Sequence, residues 1–254
     1  MCTTIGQAIF TGEIISIWGV REPVSVFSHA LGALLALVAL TVLLRRSDAG
    51  GLSRRRRVGF VLYAGSIFFT FTVSALFHYF PWDPDALDVL KRMDHAAIFL
   101  VIAGTCTVIV DAGRAAGKNA LIAACWLVSL AALAAKMVFW PMALWMSALV
   151  YLTVGWTAAV SVLKGLADVP WADLQYLVYG MVVHTVGAVV FVVEAPVLWP
   201  GAIEGHELFH VMVLGGIALH FVFVLRYCAV VRCSDHVPEE VNRPVSLIAD
   251  PQGS

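Results

Sequence analysis

Seven apolar stretches, set end to end with little between them, constrain this 254-residue chain more than any motif does. They run at about Val24–Leu44, Val58–Phe80, His95–Val110, Ala120–Val138, Pro141–Leu163, Leu174–Val193 and Glu207–Tyr227, the third shorter than the rest. An α-helix needs roughly 20 apolar residues to cross a hydrocarbon core of about 30 Å, and six of the stretches meet that length. A bilayer offers the backbone no water to bond, so such stretches span as helices. The connections run from a handful of residues to about a dozen, which favours antiparallel neighbours and leaves no room for a soluble domain. Composition agrees: 61% of residues are hydrophobic and 13% charged, with a mean hydropathy of +0.89. Ordinary soluble domains carry about 25% charge, so much of this surface must face something other than water. The predicted fold is all-α, an integral membrane bundle of seven transmembrane helices, placed as a multi-pass protein in the cell membrane.

Three regions follow from this reading. Residues 1–21 form an N-terminal segment that is mixed and weakly apolar. It lacks the basic start, apolar core and small-residue cleavage site of a signal peptide. Within it Ile14–Trp18 is expected to lie as a short interfacial helix. Residues 22–228 form the seven-helix domain. Residues 229–254 are a polar, proline-containing tail expected to be partly disordered and dispensable.

The net charge of −1 says little about partners, but the distribution of charge says more. Arg45, Arg46, Arg54, Arg55, Arg56 and Arg57 crowd the first loop. With Arg114, Lys118, Lys164, Arg226, Arg232 and Arg243 they put twelve of the 16 basic residues on one side, against Arg21, Lys91, Arg92 and Lys136 on the other. The positive-inside rule places that basic side, and the C-terminus, in the cytoplasm. No nucleic-acid-binding fold accompanies the arginine run, so topology accounts for it and nucleic acid is not an expected partner. Five cysteines, Cys2, Cys106, Cys125, Cys228 and Cys233, form no CxxC pair. Cys106 and Cys125 fall within spans and are expected to pack as small hydrophobic thiols.

The ionisable groups within or beside the spans are the remaining signal. Such groups are costly at membrane depth, and each calls for a partner or a purpose. His29 lies near the start of span one, Ser74 and His78 near the end of span two, Asp94 at the start of span three, and His206 and His210 at the start of span seven. Antiparallel threading carries all six to one leaflet. His206 and His210, four residues apart on a helix, present their imidazoles on one face with Cβ atoms about 6 Å apart. With His78 they make three imidazoles at one depth, the ligand pattern of a zinc site that keeps a fourth position for water. Asp94 is expected to act as a base through that water, and Ser74, one turn before His78, to donate a hydrogen bond to a substrate carbonyl as charge develops there. Plainer roles are open too. His184 and His220 are expected to bond a neighbouring helix or a backbone carbonyl, His29 to orient a ligand or Asp94, and the plainer alternative for the His206/His210 pair is an interfacial pair wetted by headgroups.

Taken in order, Glu22-Pro-Val-Ser-Val-Phe-Ser-His29, Ser74-Ala-Leu-Phe-His78, Asp94-His-Ala-Ala-Ile-Phe-Leu-Val-Ile-Ala-Gly-Thr105 and His206-Glu-Leu-Phe-His210 resemble the haemolysin III family, the bacterial branch of the progestin and adipoQ receptors. The resemblance covers about Glu22 to Tyr227. It implies a seven-helix fold with zinc held by the histidines matching His78, His206 and His210, and an aspartate matching Asp94 that reaches the metal through water. Its eukaryotic members include the adiponectin receptors, to which ceramide hydrolysis is attributed. Ser25 stands where relatives often have asparagine, and Val108 where many have proline. The expected function is a zinc-dependent hydrolase of a membrane lipid amide or ester, ceramidase-like, with membrane lipids as partners. The alternatives are a non-enzymatic sensor or receptor with structural zinc, and a haemolysin-like pore or transport protein.

Overall fold

A computed structural model of the chain describes residues 19–79, 82–114 and 116–230. The Ile14–Trp18 stretch and the polar tail beyond 230 lie outside the described residues. Seven helices run along the described chain: α1 (Pro23–Gly50), α2 (Arg54–Tyr79), α3 (Pro84–Ala112), α4 (Lys118–Val138), α5 (Leu144–Leu163), α6 (Trp171–Val193) and α7 (Gly205–Phe223), the last continuing through a π turn, Val224–Cys228. All seven are long and apolar enough to cross a membrane.

Helix ends follow their local chemistry. Pro23 opens α1 at a position whose missing N–H costs nothing, and Gly51, in the left-handed region at φ 64°, closes it with its N–H on the Asp48 and Ser47 carbonyls. Helix α3 corrects the expectation of a short third span: it has 29 residues, because Asp83 caps it by accepting a hydrogen bond from the Ala86 N–H and Pro84 sits in its first turn. Its opening turns carry Asp85, Asp88, Lys91 and Arg92, so they are helical without being apolar. Val108, where a proline bend is common in relatives, lies fully buried in an unbroken stretch of α3.

Helices α2 and α3 form the centre of the bundle, with Phe60, Tyr63 and Phe71 of α2 and Phe99, Val108 and Ile109 of α3 all buried. Helix α1 packs along α2 and closes onto α7, while α4 and α5 flank α3. At the end away from the histidine cluster, the buried Arg56 guanidinium joins three elements. It donates to the Asp111 side chain at 3.0 Å and to the Asp111 carbonyl at 3.0 Å, closing α2 on α3. A third bond, 3.1 Å to the Cys228 carbonyl, reaches the π turn after α7. Cys106 and Cys125 are joined as a disulfide between α3 and α4, which corrects the expectation of two free thiols. Sequence spacing hides this pairing, because the two residues meet only once the α3–α4 hairpin turns their faces together.

Helices α6 and α7 interlock by a repeated device. Gly180 and His184 on α6 and Gly216 and His220 on α7 have the same four-residue spacing, and each imidazole fills the notch left by the other helix's glycine: a Cβ on Gly216 would overlap the His184 ring, and one on Gly180 the His220 ring. The two rings stack with centroids 5.2 Å apart. His184 Nδ1 meets the Gly180 carbonyl at 2.7 Å, the backbone-carbonyl role expected of it. His220 Nε2 is buried with no hydrogen-bond partner.

Candidate metal centre

The capping chemistry of α7 sets the position of two candidate ligands. Glu204 and Glu207 form a capping box: Glu204 accepts from the third residue of the helix, and Glu207 Oε2 accepts from the Glu204 N–H at 3.0 Å. That fixes the first turn, and with it His206 and, one turn on, His210. Glu207 Oε1 also accepts from Ser25 Oγ at 3.4 Å, tying the start of α7 to α1. The serine that replaces the asparagine of many relatives therefore still makes a polar contact, and it is fully buried.

His78 comes from the last turn of α2. The segment ahead of α1 holds that turn: the Arg21 N–H donates to the Tyr79 carbonyl at 2.9 Å and the Glu22 N–H to the His78 carbonyl at 3.3 Å. The Glu22 carboxylate makes a short hydrogen bond with His78 Nδ1. Arg21 in turn pairs with Glu22 at 3.0 Å and donates to the Phe77 carbonyl at 2.9 Å. Burial alone would push the Glu22 carboxyl up; the bond to His78, with His78, Arg21 and His206 nearby, holds it below its ordinary value. A carboxylate on one ring nitrogen fixes the tautomer and aims the other nitrogen, an arrangement that recurs around histidine metal ligands.

The three imidazoles converge. One ligand nitrogen from each of His78, His206 and His210 lies within 4.8 Å of the others. His78 Nε2, His206 Nε2 and His210 Nδ1 are all buried without a hydrogen-bond partner. Buried polar atoms are rarely left so, and three orphaned imidazole nitrogens facing one point fit a metal ion whose ligands are about 2.0–2.1 Å away. Imidazole nitrogen without thiolate suits zinc among other first-row ions. His78 and His210 are 1% and 2% exposed, so the cluster is enclosed by protein.

The other expected residues also lie at this point. His29 stacks flat on His210, centroids 4.0 Å apart, and is braced by Phe71. Both its nitrogens are buried without partners. Asp94, half-buried, interacts with His78 and lies beside Ser74. Ser74 Oγ is buried with no well-formed hydrogen bond of its own. His184 and His220 remain apart from the cluster, as their depth on the helices requires. Glu22 is the site residue that the sequence named without a role: its partner is 56 positions away, and only its place just before an apolar span marked it.

A cavity of about 190 Å³ begins one turn from the cluster. Its wall includes Thr70, four residues before Ser74, Ile98, four after Asp94, and Phe209, next to His210; it extends past Tyr151 and Trp156 of α5 to His184 and His220.

Residues 18–221 match the family model described as haemolysin-III related. The chain belongs to this family. The match contains every residue of the cluster, from Glu22 to His210. Hemolysin-3 of Bacillus cereus is 28% identical to the chain over 209 residues, covering 82% of it and 91% of that protein. The Hemolysin-3 homolog of Bacillus subtilis (strain 168) is 29% identical over 209 residues, covering 82% and 94%. Membership of the haemolysin-III family and the seven-helix fold therefore agree, and the histidine cluster sits inside the shared region.

Proposed function

We infer that this protein is a zinc-binding membrane sensor in which the ion staples α2 to α7. The enclosure of the cluster carries this reading: the candidate ligands come from two helices that no loop connects, two of the three are almost wholly buried, and the Glu22 carboxylate already holds His78 in the ligating tautomer. Zinc supplies a fixed coordination geometry without redox chemistry, and it adds its binding free energy to the folded state alone. Metal analysis of purified protein should find one zinc per chain. Chelation should lower the melting temperature, since a ligand that binds only the folded state stabilises it. His206→Ala should lower it in the same way and remove the response to chelator. An equal chelator response in wild type and variant would sink the reading.

A second reading, hydrolysis of an amide or ester bond in a membrane lipid in the manner of a ceramidase, is favoured by Ser74, Asp94 and the adjoining apolar cavity. In it Asp94 takes the proton of an attacking water and Ser74 donates to the carbonyl oxygen as it gains charge, while the lipid's chain occupies the cavity. Asp94→Asn should then keep its zinc yet lose turnover of a short-chain ceramide or acyl lipid by roughly 10²–10⁴-fold. Stoichiometric zinc with no turnover across a broad lipid panel would leave the staple standing alone. The relatives are named as haemolysins, but a pore finds little support in the cavity beside the cluster, whose wall is mainly apolar.

A further inference from the structure

Lys136 stands two residues before the end of α4. A lysine so placed in a membrane helix ordinarily runs its chain out to the headgroups and keeps its ammonium in water. This one turns inward and is 2% exposed. Its ammonium donates to Ser147 Oγ at the start of α5, and that hydroxyl gives its own proton to the Ala143 carbonyl at 3.2 Å. Two aromatic faces cover the charge, Trp140 at 5.3 Å and Tyr151 at 5.8 Å. An ammonium has three protons to donate, and Ser147 takes one.

Among the described residues no carboxylate lies within ion-pair distance of Lys136. The acids at this end of the bundle are committed elsewhere: Asp88 pairs with Arg92 at 2.6 Å and accepts from Trp140 Nε1 at 2.7 Å, Asp94 faces His78 and Ser74, and Glu22 holds His78 and Arg21. His95 stands edge-on to Trp140, ring centroids 5.5 Å apart, and its Nδ1 is buried without a partner. The Tyr151 hydroxyl, donating to the His95 carbonyl at 3.0 Å, ties His95 into the same group. Lys91 and Arg92 add positive charge nearby. A buried charge with no counter-charge is strongly unfavourable, and cation–π contacts return only a part of that cost, about 0.5–2 kcal/mol each.

The depth of the group points to what supplies the missing charge. Phe139 and Trp145, in the same α4–α5 hairpin, are 67% and 58% exposed. Large aromatics facing outward at a helix end mark the membrane–water interface, the level at which lipid phosphates and carboxylates sit.

We propose that the Lys136 ammonium, positioned by Ser147, and the free Nδ1 of His95 form a binding site for the oxyanion of an anionic lipid, a headgroup phosphate or a fatty-acid carboxylate, at the interface beside Trp140. The site is separate from the metal cluster and depends on neither reading of it.

The full chain, delipidated in a neutral detergent, tests this with three probes: dioleoyl phosphatidylglycerol, dioleoyl phosphatidylcholine and oleate. Affinity is read from Trp fluorescence and from lipid adducts in native mass spectrometry. Phosphatidylglycerol or oleate should bind wild type at least tenfold more tightly than phosphatidylcholine, and which of the two binds identifies phosphate or carboxylate. Lys136→Met should lose at least tenfold in affinity, Lys136→Arg should retain binding, and Arg46→Gln, exposed at the opposite end of the bundle, should stay within twofold. If Lys136→Met does not fold, His95→Phe keeps the ammonium and the ring edge on Trp140 but removes the nitrogen donor, and it should weaken binding several-fold. Equal binding of phosphatidylcholine, or unchanged affinity in Lys136→Met or His95→Phe, would overturn the proposal.

Discussion

At the scale of single residues, Glu22 decides how well the histidine cluster is prepared for a metal ion. It approaches from outside the membrane segment, is held by Arg21, and occupies His78 Nδ1, so that Nε2 is left to face His206 and His210. Outer carboxylates of this kind typically change metal affinity by about 10–100-fold. Glu22→Ala should therefore weaken zinc binding by that order in a competition titration with a chromophoric chelator, without touching a ligand. Glu22→Gln, able to hydrogen-bond but uncharged, should fall between the two. Identical affinities in all three proteins would remove Glu22 from the site. His29 poses the complementary case: it touches His210 face to face, yet both its nitrogens are unpaired, so it bears on the orientation of a neighbour rather than on a bond of its own.

At the scale of helices, the ends are where charge has been placed to join one element to another. Arg56 is nearly inaccessible and makes bonds to both α3 and the turn after α7, while Arg55 meets the same Asp111 from the surface at 2.6 Å. Removing one partner of a buried pair leaves the other uncompensated, at a cost of about 3–5 kcal/mol. Asp111→Ala should cost that much in a denaturation experiment, more than Asp48→Ala, whose partner Arg57 is half-exposed. Comparable losses in the two variants would show that burial of Arg56 contributes nothing. Sequence reading went furthest here with apolar length: the six longer spans and the leaflet shared by His29, Ser74, His78, Asp94, His206 and His210 follow from hydropathy and threading. It fell short where structure depends on a cap or on facing. The start of α3 is polar, so hydropathy misses it although Asp83 and Pro84 announce it, and the union of Cys106 with Cys125 or of Glu22 with His78 needs the rotation of each helix about its axis, which an apolar run does not specify.

At the scale of the whole molecule, polarity across the membrane divides the protein into a histidine end and an arginine end. Ten of the fourteen basic residues among the described residues belong to the second. Several are paired with aspartates, Arg57 with Asp48, Arg226 with Asp173, Arg114 with Asp168, but the rule that orients membrane proteins counts basic residues and not net charge. A reporter fused after Tyr227 should accordingly read cytoplasmic, with the histidine cluster toward the opposite face; an external reading would reverse both.

The paired glycine notches of α6 and α7 bear on how those two ends communicate. Because each helix lodges a ring in the other, neither can slide along its neighbour by a fraction of a turn without driving an imidazole into backbone. The two helices form a keyed joint, built to move together as one lever. One arm of that lever begins at His206 and His210, and the other finishes at the Cys228 carbonyl in the grip of Arg56. Under the zinc-staple reading, an ion seated at one membrane face would displace the opposite one through this joint alone, with no signal passing through the lipid-exposed helices.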